Sequence, residues 1–465
     1  MDFKEALEKL PKFERYAVAF SGGADSLSLL HAASAFFGSE RIVALHYEHG
    51  IRGAESEDDA AFCEKFAKGL GVRFFLGRAE AGILSDPPKG ENREALARKM
   101  RYEWMGSVCV KEGIGCLLTA HHADDVAETL LMHLMRGAGA SGLAGLKESV
   151  SLSQLIPGCP DITVFRPLLD LRARDCREYC ETYDLPFRTD STNSDTGYTR
   201  NWLRHEIVPK LAERAGGDLT VKLRRTARQL GEQAEFVREA AEDFLRAHAR
   251  IAPFGVILDY SSFLNAKPAL QREILRILAA GDGNWDFETL DKVLTILKSG
   301  ADPDFQPPGT RRWLRLDDTL VFYDEAVDLK PFLLSCLKLE GVKERGRGYS
   351  DNGAGWLKWL KGESVVYREY LRAADYAASS FSNGLRYKPT NGPQRKVGDM
   401  MTDAKIPAFL RRSLPIVMQK DDPGWIPGWR ISDIAALREG DEVIEAVIQL
   451  PGAIAWRVRE DGDVC

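Results

Sequence analysis

Ser21-Gly22-Gly23-Ala24-Asp25-Ser26 follows a short apolar run, Tyr16-Ala17-Val18-Ala19-Phe20, and leads into a helical stretch, Leu27 to Phe37. A strand, a tight Gly-Gly turn and a helix start together make an anion site. The glycines let backbone N–H groups approach a phosphate, and the first helical turn offers unpaired donors carrying partial positive charge. Ser21 and Ser26 add hydroxyls. No Gly-Lys-Ser/Thr follows, so this is not the common nucleotide P-loop.

Working outward, the first ~120 residues alternate between strand and helix. Tyr16–Phe20, Arg41–Tyr47, Val72–Leu76 and Gly115–Thr119 are short apolar or β-branched runs, and Ser56–Gly69 and Asn92–Lys111 are longer helical stretches. This alternation predicts an α/β fold with a doubly wound parallel sheet. Ligands then bind beyond the C-terminal ends of the strands, so chemistry should collect after Phe20, Tyr47 and Thr119. Each of those places carries polar residues. His46-Tyr47-Glu48-His49-Gly50 follows the second strand, and Thr119-Ala120-His121-His122-Ala123-Asp124-Asp125 follows the fourth. Val126, Leu130 and Leu134 recur at helical spacing, so a helix starts at the aspartates. Either aspartate could cap it. Two carboxylates with two imidazoles exceed what a cap requires, and a carboxylate beside phosphates can hold Mg²⁺.

Helix Asn92–Lys111 is expected to bury Leu96, Met100, Trp104 and Val108, with Arg98 and Arg101 on another face as cations for developing phosphate charge. Arg136-Gly137, past the end of the helix beginning at Asp125, is a second candidate phosphate contact. After Pro209 the pattern is helical over Val221–Leu230, Glu235–Ala247, Leu270–Ala280 and Phe287–Lys298. Ala301–Gly309 reads as a loop and Trp313–Tyr323 as paired strands. The Gly- and Arg-rich stretch Gly341–Gly355 is the best linker candidate.

The chain has 465 residues, 44% hydrophobic and 28% charged, with a formal net charge of −6. These values predict several globular domains and exclude a histone-like polycation, while leaving room for a local basic face. The eight cysteines form no Cys-x-x-Cys pair and are expected to be reduced thiols. No stretch approaches ~20 uninterrupted apolar residues, and the start lacks the pattern of a secretion signal. A cytoplasmic protein is expected.

The loop resembles that of the ATP pyrophosphatases, and further motifs narrow the resemblance. His49-Gly50-Ile51-Arg52, Glu94-Ala95-Leu96-Ala97-Arg98…Arg101-Tyr102, His121-His122-Ala123-Asp124-Asp125…Glu128-Thr129 and Arg136-Gly137…Gly142-Leu143 occur in order. Phe165-Arg166-Pro167-Leu168-Leu169, Asp190-Ser191-Thr192-Asn193, Tyr198-Thr199-Arg200-Asn201…Arg204 and Lys405-Ile406-Pro407…Arg411-Arg412-Ser413-Leu414-Pro415-Ile416 follow. Together they resemble the tRNA(Ile)-lysidine synthase family. One departure stands in the last domain, where Asn391-Gly392-Pro393 occurs near the place of the family's Gly-Asp-Arg turn.

The resemblance implies a catalytic domain (1–210) with an adenine-nucleotide-hydrolase-like sheet, a mainly helical tRNA-binding domain (211–340), a linker (341–379) and a small α+β tRNA-contacting domain (380–465). It implies ligation of free L-lysine to C2 of the first anticodon cytidine of a tRNA(Ile) with a CAU anticodon. ATP forms an adenylated cytidine, and AMP and pyrophosphate are released. Asp25, Asp125 and Arg98 are the implied catalytic residues. Ser21, Gly22, Gly23, Ala24, Asp25, Ser26, His49, Arg136 and Gly137 would bind ATP, and Asp25 and Asp125 would bind Mg²⁺. Arg101, Arg200, Asn201, Arg204, Arg224 and Arg225 would meet tRNA, with Lys222 and Arg228 on the same basic face. A homodimer is allowed. Thiolation of tRNA bases and other ATP-dependent ligations share the loop and stand as alternatives.

Overall fold

The computed structural model describes residues 2–50, 54–80, 83–84, 92–188, 199–280, 285–299, 307–382 and 384–455. Of the stretches quoted above, Ile51-Arg52, Asp190–Asn193 with Tyr198, residues 301–306 and residues 456–465 lie outside the described residues. The chain divides into two compact units, Met1–Glu235 and Phe236–Cys465.

The first unit begins with α1 (Phe3–Glu8), β1 (Tyr16–Ala19), α2 (Ala24–Phe37), β2 (Ile42–Glu48), α3 (Ala54–Gly69) and β3 (Arg73–Arg78). It continues with α4 (Arg93–Glu112), β4 (Cys116–Leu118), α5 (Ala123–Met135), α6 (Ala140–Leu143), β5 (Ser149–Ser151), α7 (Leu152–Leu155), β6 (Thr163–Phe165) and α8 (Ala173–Thr182). α9 (Thr199–Trp202) runs through a π-turn, Leu203–Ile207, into α10 (Val208–Ala215), and α11 (Leu219–His248) begins in this unit and ends in the second. The sheet order is β3-β2-β1-β4-β6-β5. Every pairing is parallel except that of β5 with β6.

Alternation along the strands sends side chains to two cores, as the two-residue strand period requires. Tyr16, Val18, Ile42, Ala44, Cys116 and Leu118 pack with α1, α2, α3 and α8. Ala17, Val43, Leu45, Leu117 and Val164 pack with α4. Helices therefore cover both faces, as a doubly wound sheet needs. Chain order runs outward from β1 to β2 and β3, then returns to β4 on the other side. The C-terminal crevice between β1 and β4 is thus the topological switch point.

α4 buries Tyr102, Met105, Gly106, Val108 and Cys109, whereas Leu96, Met100 and Trp104 are only partly covered. The expected stripe is therefore rotated. Gly106 explains part of the difference, because a Cβ there would stand 2.8 Å from Leu152 Cδ2. The helix lies too close to its neighbours at that point for a larger residue.

The second unit holds β7 (Ala249–Ala252), β8 (Gly255–Asp259), α12 (Tyr260–Asn265), α13 (Pro268–Leu278), α14 (Phe287–Ser299), β9 (Arg311–Leu316) and β10 (Thr319–Asp324). It continues with α15 (Lys330–Ser335), β11 (Leu337–Val342), α16 (Ala354–Leu360), β12 (Val365–Arg372), β13 (Tyr376–Ser380), β14 (Arg386–Tyr387) and β15 (Arg395–Lys396). α17 (Val397–Asp403), α18 (Ala408–Arg411), β16 (Pro415–Gln419), β17 (Asp422–Trp425), β18 (Val443–Leu450) and β19 (Ile454–Ala455) complete it. The middle segment carries the expected helices and adds an antiparallel sheet, β19-β7-β8-β10-β9. Residues 341–379 differ from the expected linker. β11 and β12 flank β18 in one sheet, and Trp356 and Trp359 of α16 are buried in the largest core of this unit. A Gly- and Arg-rich composition reads as a linker only where no distant strand supplies a partner, and here β18 does.

Candidate active site

The turn after β1 is built to leave donors free. Gly22 adopts φ +85°, and a Cβ on it would fall 2.9 Å from Cys63 Sγ, so glycine is required on both counts. Ser26 shapes the turn from inside. Its Oγ accepts from the Ser21 backbone N–H (3.1 Å) and from the Ser21 hydroxyl (3.0 Å), and donates to the Gly23 carbonyl (3.1 Å). Gly23 is the N-cap of α2, and no side chain caps the helix. The first N–H groups of a 14-residue helix therefore face the crevice without a side-chain acceptor, which suits a phosphate. Ser26 is buried and structural, Ser21 is exposed, and the Asp25 side chain keeps 44% of its accessibility.

Across the switch point, β4 leads to Thr119, His121 and His122. His122 is the N-cap of α5, and its backbone N–H donates to Asp125 Oδ2 at 3.0 Å. Its buried ring stands among three carboxylates. Nε2 is 3.6 Å from Asp25, and Nδ1 is 3.6 Å from Asp124 and 3.5 Å from Asp125. Burial alone would lower the His122 pKa, but the Asp25 contact and the surrounding negative charge outweigh it and raise it. His121, hydrogen-bonded to Thr119 Oγ1 at 2.9 Å, behaves oppositely. Burial, with Arg166, Arg200 and Arg98 nearby, overcomes the pull of Asp125 and brings it down to about 3, so it is a neutral imidazole.

The adjacent aspartates separate by geometry. Asp124 accepts from Arg172 Nε (2.9 Å), the Ala173 backbone N–H (2.9 Å) and Thr220 Oγ1 (3.2 Å), pinning α5 to the starts of α8 and α11. Arg172 also reaches Asp218. Asp125 turns to the crevice, where Arg200 Nη2 donates to its Oδ1 at 3.0 Å. Burial pushes the Asp125 carboxyl up, but the charges of His122 and Arg200, with the His122 backbone N–H, hold it below the ordinary aspartate range. One turn along α5, Glu128 is only 2% exposed. It accepts from Arg200 Nε (2.7 Å) and from Arg204 Nε (2.6 Å) and Nη2 (3.1 Å). Glu128 was not among the expected site residues. Its spacing of three from Asp125 places both on one helix face, and that was the available signal.

The structure brings His49, Arg98 and Arg101 to the α4 side of the same crevice. Burial, with Arg101 and His46, brings the half-buried His49 down to about 4. The Arg98 and Arg101 guanidinium carbons lie 4.8 and 5.5 Å from the centroid of the Tyr102 ring. Arg200, Asn201 and Arg204 share the α9–π-turn stretch. The two arginines clamp Asp125 and Glu128 rather than forming a separate basic face, and Asn201 is partly buried between them. Arg136 and Gly137 differ from expectation. They are exposed at the far end of α5, and 11 residues of helix separate Arg136 from Asp125 by roughly 16 Å. They are not brought to the loop.

The expected basic face on α11 is mostly engaged. Arg224 is partly buried 3.4 Å from Asp170, Lys222 binds the Ala215 carbonyl at 2.6 Å, and Arg228 pairs with Glu232 at 2.9 Å. Arg225 is exposed. In the second unit Asn391 adopts φ +60°, so a left-handed turn stands near the place expected for Gly-Asp-Arg. Arg411 is held within its own turn, donating to the Ile406 carbonyl at 2.7 Å.

Comparison with known proteins places these features. The profile of the PP-loop domain matches residues 1–211, and that of the TilS substrate C-terminal domain matches residues 379–447. The chain is 26% identical over 442 residues to the tRNA(Ile)-lysidine synthase of Clostridium tetani, covering 91% of each. It is 28% identical over 454 residues to that of Geobacter sulfurreducens, covering 94% of this chain and 93% of the relative. It is 38% identical over 245 residues to that of Burkholderia mallei, covering 53% and 48%. With both domain profiles in place and relatives aligned along nearly all of its length, the chain belongs to the tRNA(Ile)-lysidine synthase family.

Proposed function

We propose that this crevice converts cytidine to lysidine at the first anticodon position of an isoleucine tRNA bearing CAU, using ATP and free L-lysine. The observation that carries this reading is the uncapped phosphate turn at Gly22–Asp25, facing the Asp125–Glu128 carboxylate pair across the switch point. The C2 carbonyl of cytosine is a poor electrophile. Its oxygen attacks the α-phosphorus of ATP and pyrophosphate leaves. The amine of lysine then forms a bond to C2, and AMP departs with the former carbonyl oxygen.

Each component has a residue suited to it. The free N–H groups at the start of α2, with Ser21, suit the departing pyrophosphate, where charge accumulates. Arg98 suits the phosphate of the adenylated base. Asp125 and Glu128 suit the amine of lysine. A carboxylate held as acidic as Asp125 orients an amine rather than storing its proton. Arg200 and Arg204, on this reading, fix those carboxylates and leave donors for the lysine carboxylate or the RNA.

Among the described residues no group of three His, Cys, Asp or Glu is arranged to hold a metal ion alone. Asp25 and Asp125 still fit magnesium, which takes one or two carboxylates and fills its other positions with phosphate oxygens and water. When bound, it would neutralise phosphate charge. Thiolation fits less well, because burial pushes the Cys63 thiol up to about 12 and the Cys180 thiol up to about 11, far from reactive thiolates. No helix among the described residues is long and apolar enough to cross a membrane, and a tRNA substrate is consistent with work in the cytoplasm.

The test is to incubate the protein with ATP, radiolabelled lysine and transcripts of isoleucine and methionine tRNAs. Label should enter only the isoleucine transcript and depend on ATP. Label in neither transcript overturns the reading.

A further inference from the structure

Arg166 sits just past the end of β6 and is only 1% exposed. Its Nη1 donates to the Lys147 carbonyl at 2.6 Å, while Nε and Nη2 have no hydrogen-bond partner among the described residues. A buried guanidinium with two idle nitrogens is expensive, since each unmet donor costs about 1–3 kcal/mol. Alternation along β6 explains where it lies. Val164 joins the core beneath α4 and Phe165 the opposite core, so Arg166 returns to the α4 side.

There it meets Tyr102. The Tyr102 hydroxyl stands beside Arg166, and the ring carries Arg98 and Arg101. Three guanidiniums thus gather around one tyrosine. Among the described residues none of the three pairs with a carboxylate, in contrast to Arg172, Arg200 and Arg204. Burial lowers the pKa of both Arg101 and Arg166, and Arg98 adds to it in each case, so the cluster is under electrostatic strain in the free protein. An anion would relieve that strain.

We propose that Arg166, with Arg98 and Arg101 around Tyr102, forms a phosphate-ester seat distinct from the pyrophosphate turn. The assignment rests on the functional reading above and adds Arg166 and Tyr102 to it. Two sources supply such a group: the phosphate of AMP, and the RNA phosphodiester beside the target cytidine. A planar fork is needed because it can offer two parallel N–H bonds, which lysine cannot.

The test uses the full chain with Arg166→Lys, which keeps the charge and loses the fork. Calorimetry with AMP, calorimetry with inorganic pyrophosphate and filter binding with tRNA transcript are compared between variant and unaltered protein. If AMP fills the seat, AMP affinity falls about tenfold while pyrophosphate and tRNA affinities hold. If the RNA phosphate fills it, tRNA affinity falls and its salt slope drops by about one while AMP affinity holds. A folded variant unchanged in both overturns the seat alone. Unaltered protein that binds neither AMP nor pyrophosphate overturns the underlying reading as well. Should Arg166→Lys fail to fold, ¹⁵N spectra of the unaltered protein decide. AMP or tRNA must displace a solvent-protected arginine Nε–H resonance, and the absence of any displacement overturns the seat.

Discussion

Asp124 receives donors from Arg172, Ala173 and Thr220, while Asp125 next to it receives Arg200 from the open side of the crevice. The two should therefore fail differently. Asp124→Asn leaves the partly exposed Arg172 opposite a neutral partner and should destabilise the first unit by about 2 kcal/mol, with catalysis at permissive temperature mostly kept. Asp125→Asn also gives up an ion pair, with Arg200, and should cost comparable stability, but it should abolish pyrophosphate release while tRNA affinity stays nearly unchanged. Thermal unfolding and a pyrophosphate-release assay on both variants check the contrast, and equal catalytic loss would refute it. His49 gives a pH dependence of known sign. Its pKa drops from 6.5 to about 4 on folding, so the folded state excludes a proton that the unfolded chain binds. The stability tied to the neutral ring is present above pH 6.5 and is lost as pH falls from there toward 4. Over that window His49→Gln should flatten the stability slope by up to about 1.4 kcal/mol per pH unit, less because the ring is only half-buried. Denaturant titrations of both proteins between pH 4 and 7 measure it.

At the scale of elements, α11 shows what helix periodicity conceals. Lys222, Arg224, Arg225 and Arg228 read as one basic face, yet Arg224 meets Asp170, Lys222 caps α10 and Arg228 pairs along its own helix. Arg225→Ala should weaken tRNA binding severalfold and reduce the salt slope by about one. Arg224→Ala should instead lower thermal stability with a smaller effect on affinity, and filter binding across a salt series separates the two. The same limit governs what the sequence made legible. β1 to β4 and the loops after them were readable because each pattern is local: an apolar run, a Gly-Gly turn, a helix start. Glu128 was not, since its partners Arg200 and Arg204 lie more than 70 residues away. Arg166 stood in plain view as part of Phe165-Arg166-Pro167, but only burial without a partner gives it meaning. The buried stripe of α4 was misplaced because Leu96 and Met100, on its N-terminal half, are only partly covered.

At the scale of the whole molecule, each unit has its own core, and the second is closed by a pairing no local pattern announces. β18 is the central strand between β11 and β12, so residues near 340 and 370 become neighbours only through a segment near 446. Ala446 is fully buried there, opposite Leu339 on one side and Glu369 on the other. Burial already raises the Glu369 carboxyl above its ordinary range. Ala446→Asp would place a second carboxylate directly across from it, in a position with no water, and like charges opposite one another in a ladder are destabilising. The second unit should then lose its cooperative unfolding transition, because β11 and β12 would lose the strand that joins them. The first unit shares none of that sheet, and its phosphate turn draws only on β1, α2 and the residues around them. Pyrophosphate affinity should accordingly survive in Ala446→Asp while tRNA affinity collapses. Calorimetric unfolding, pyrophosphate titration and tRNA binding on the one variant decide the matter, and loss of pyrophosphate binding together with the second unit would show that the two fold as one.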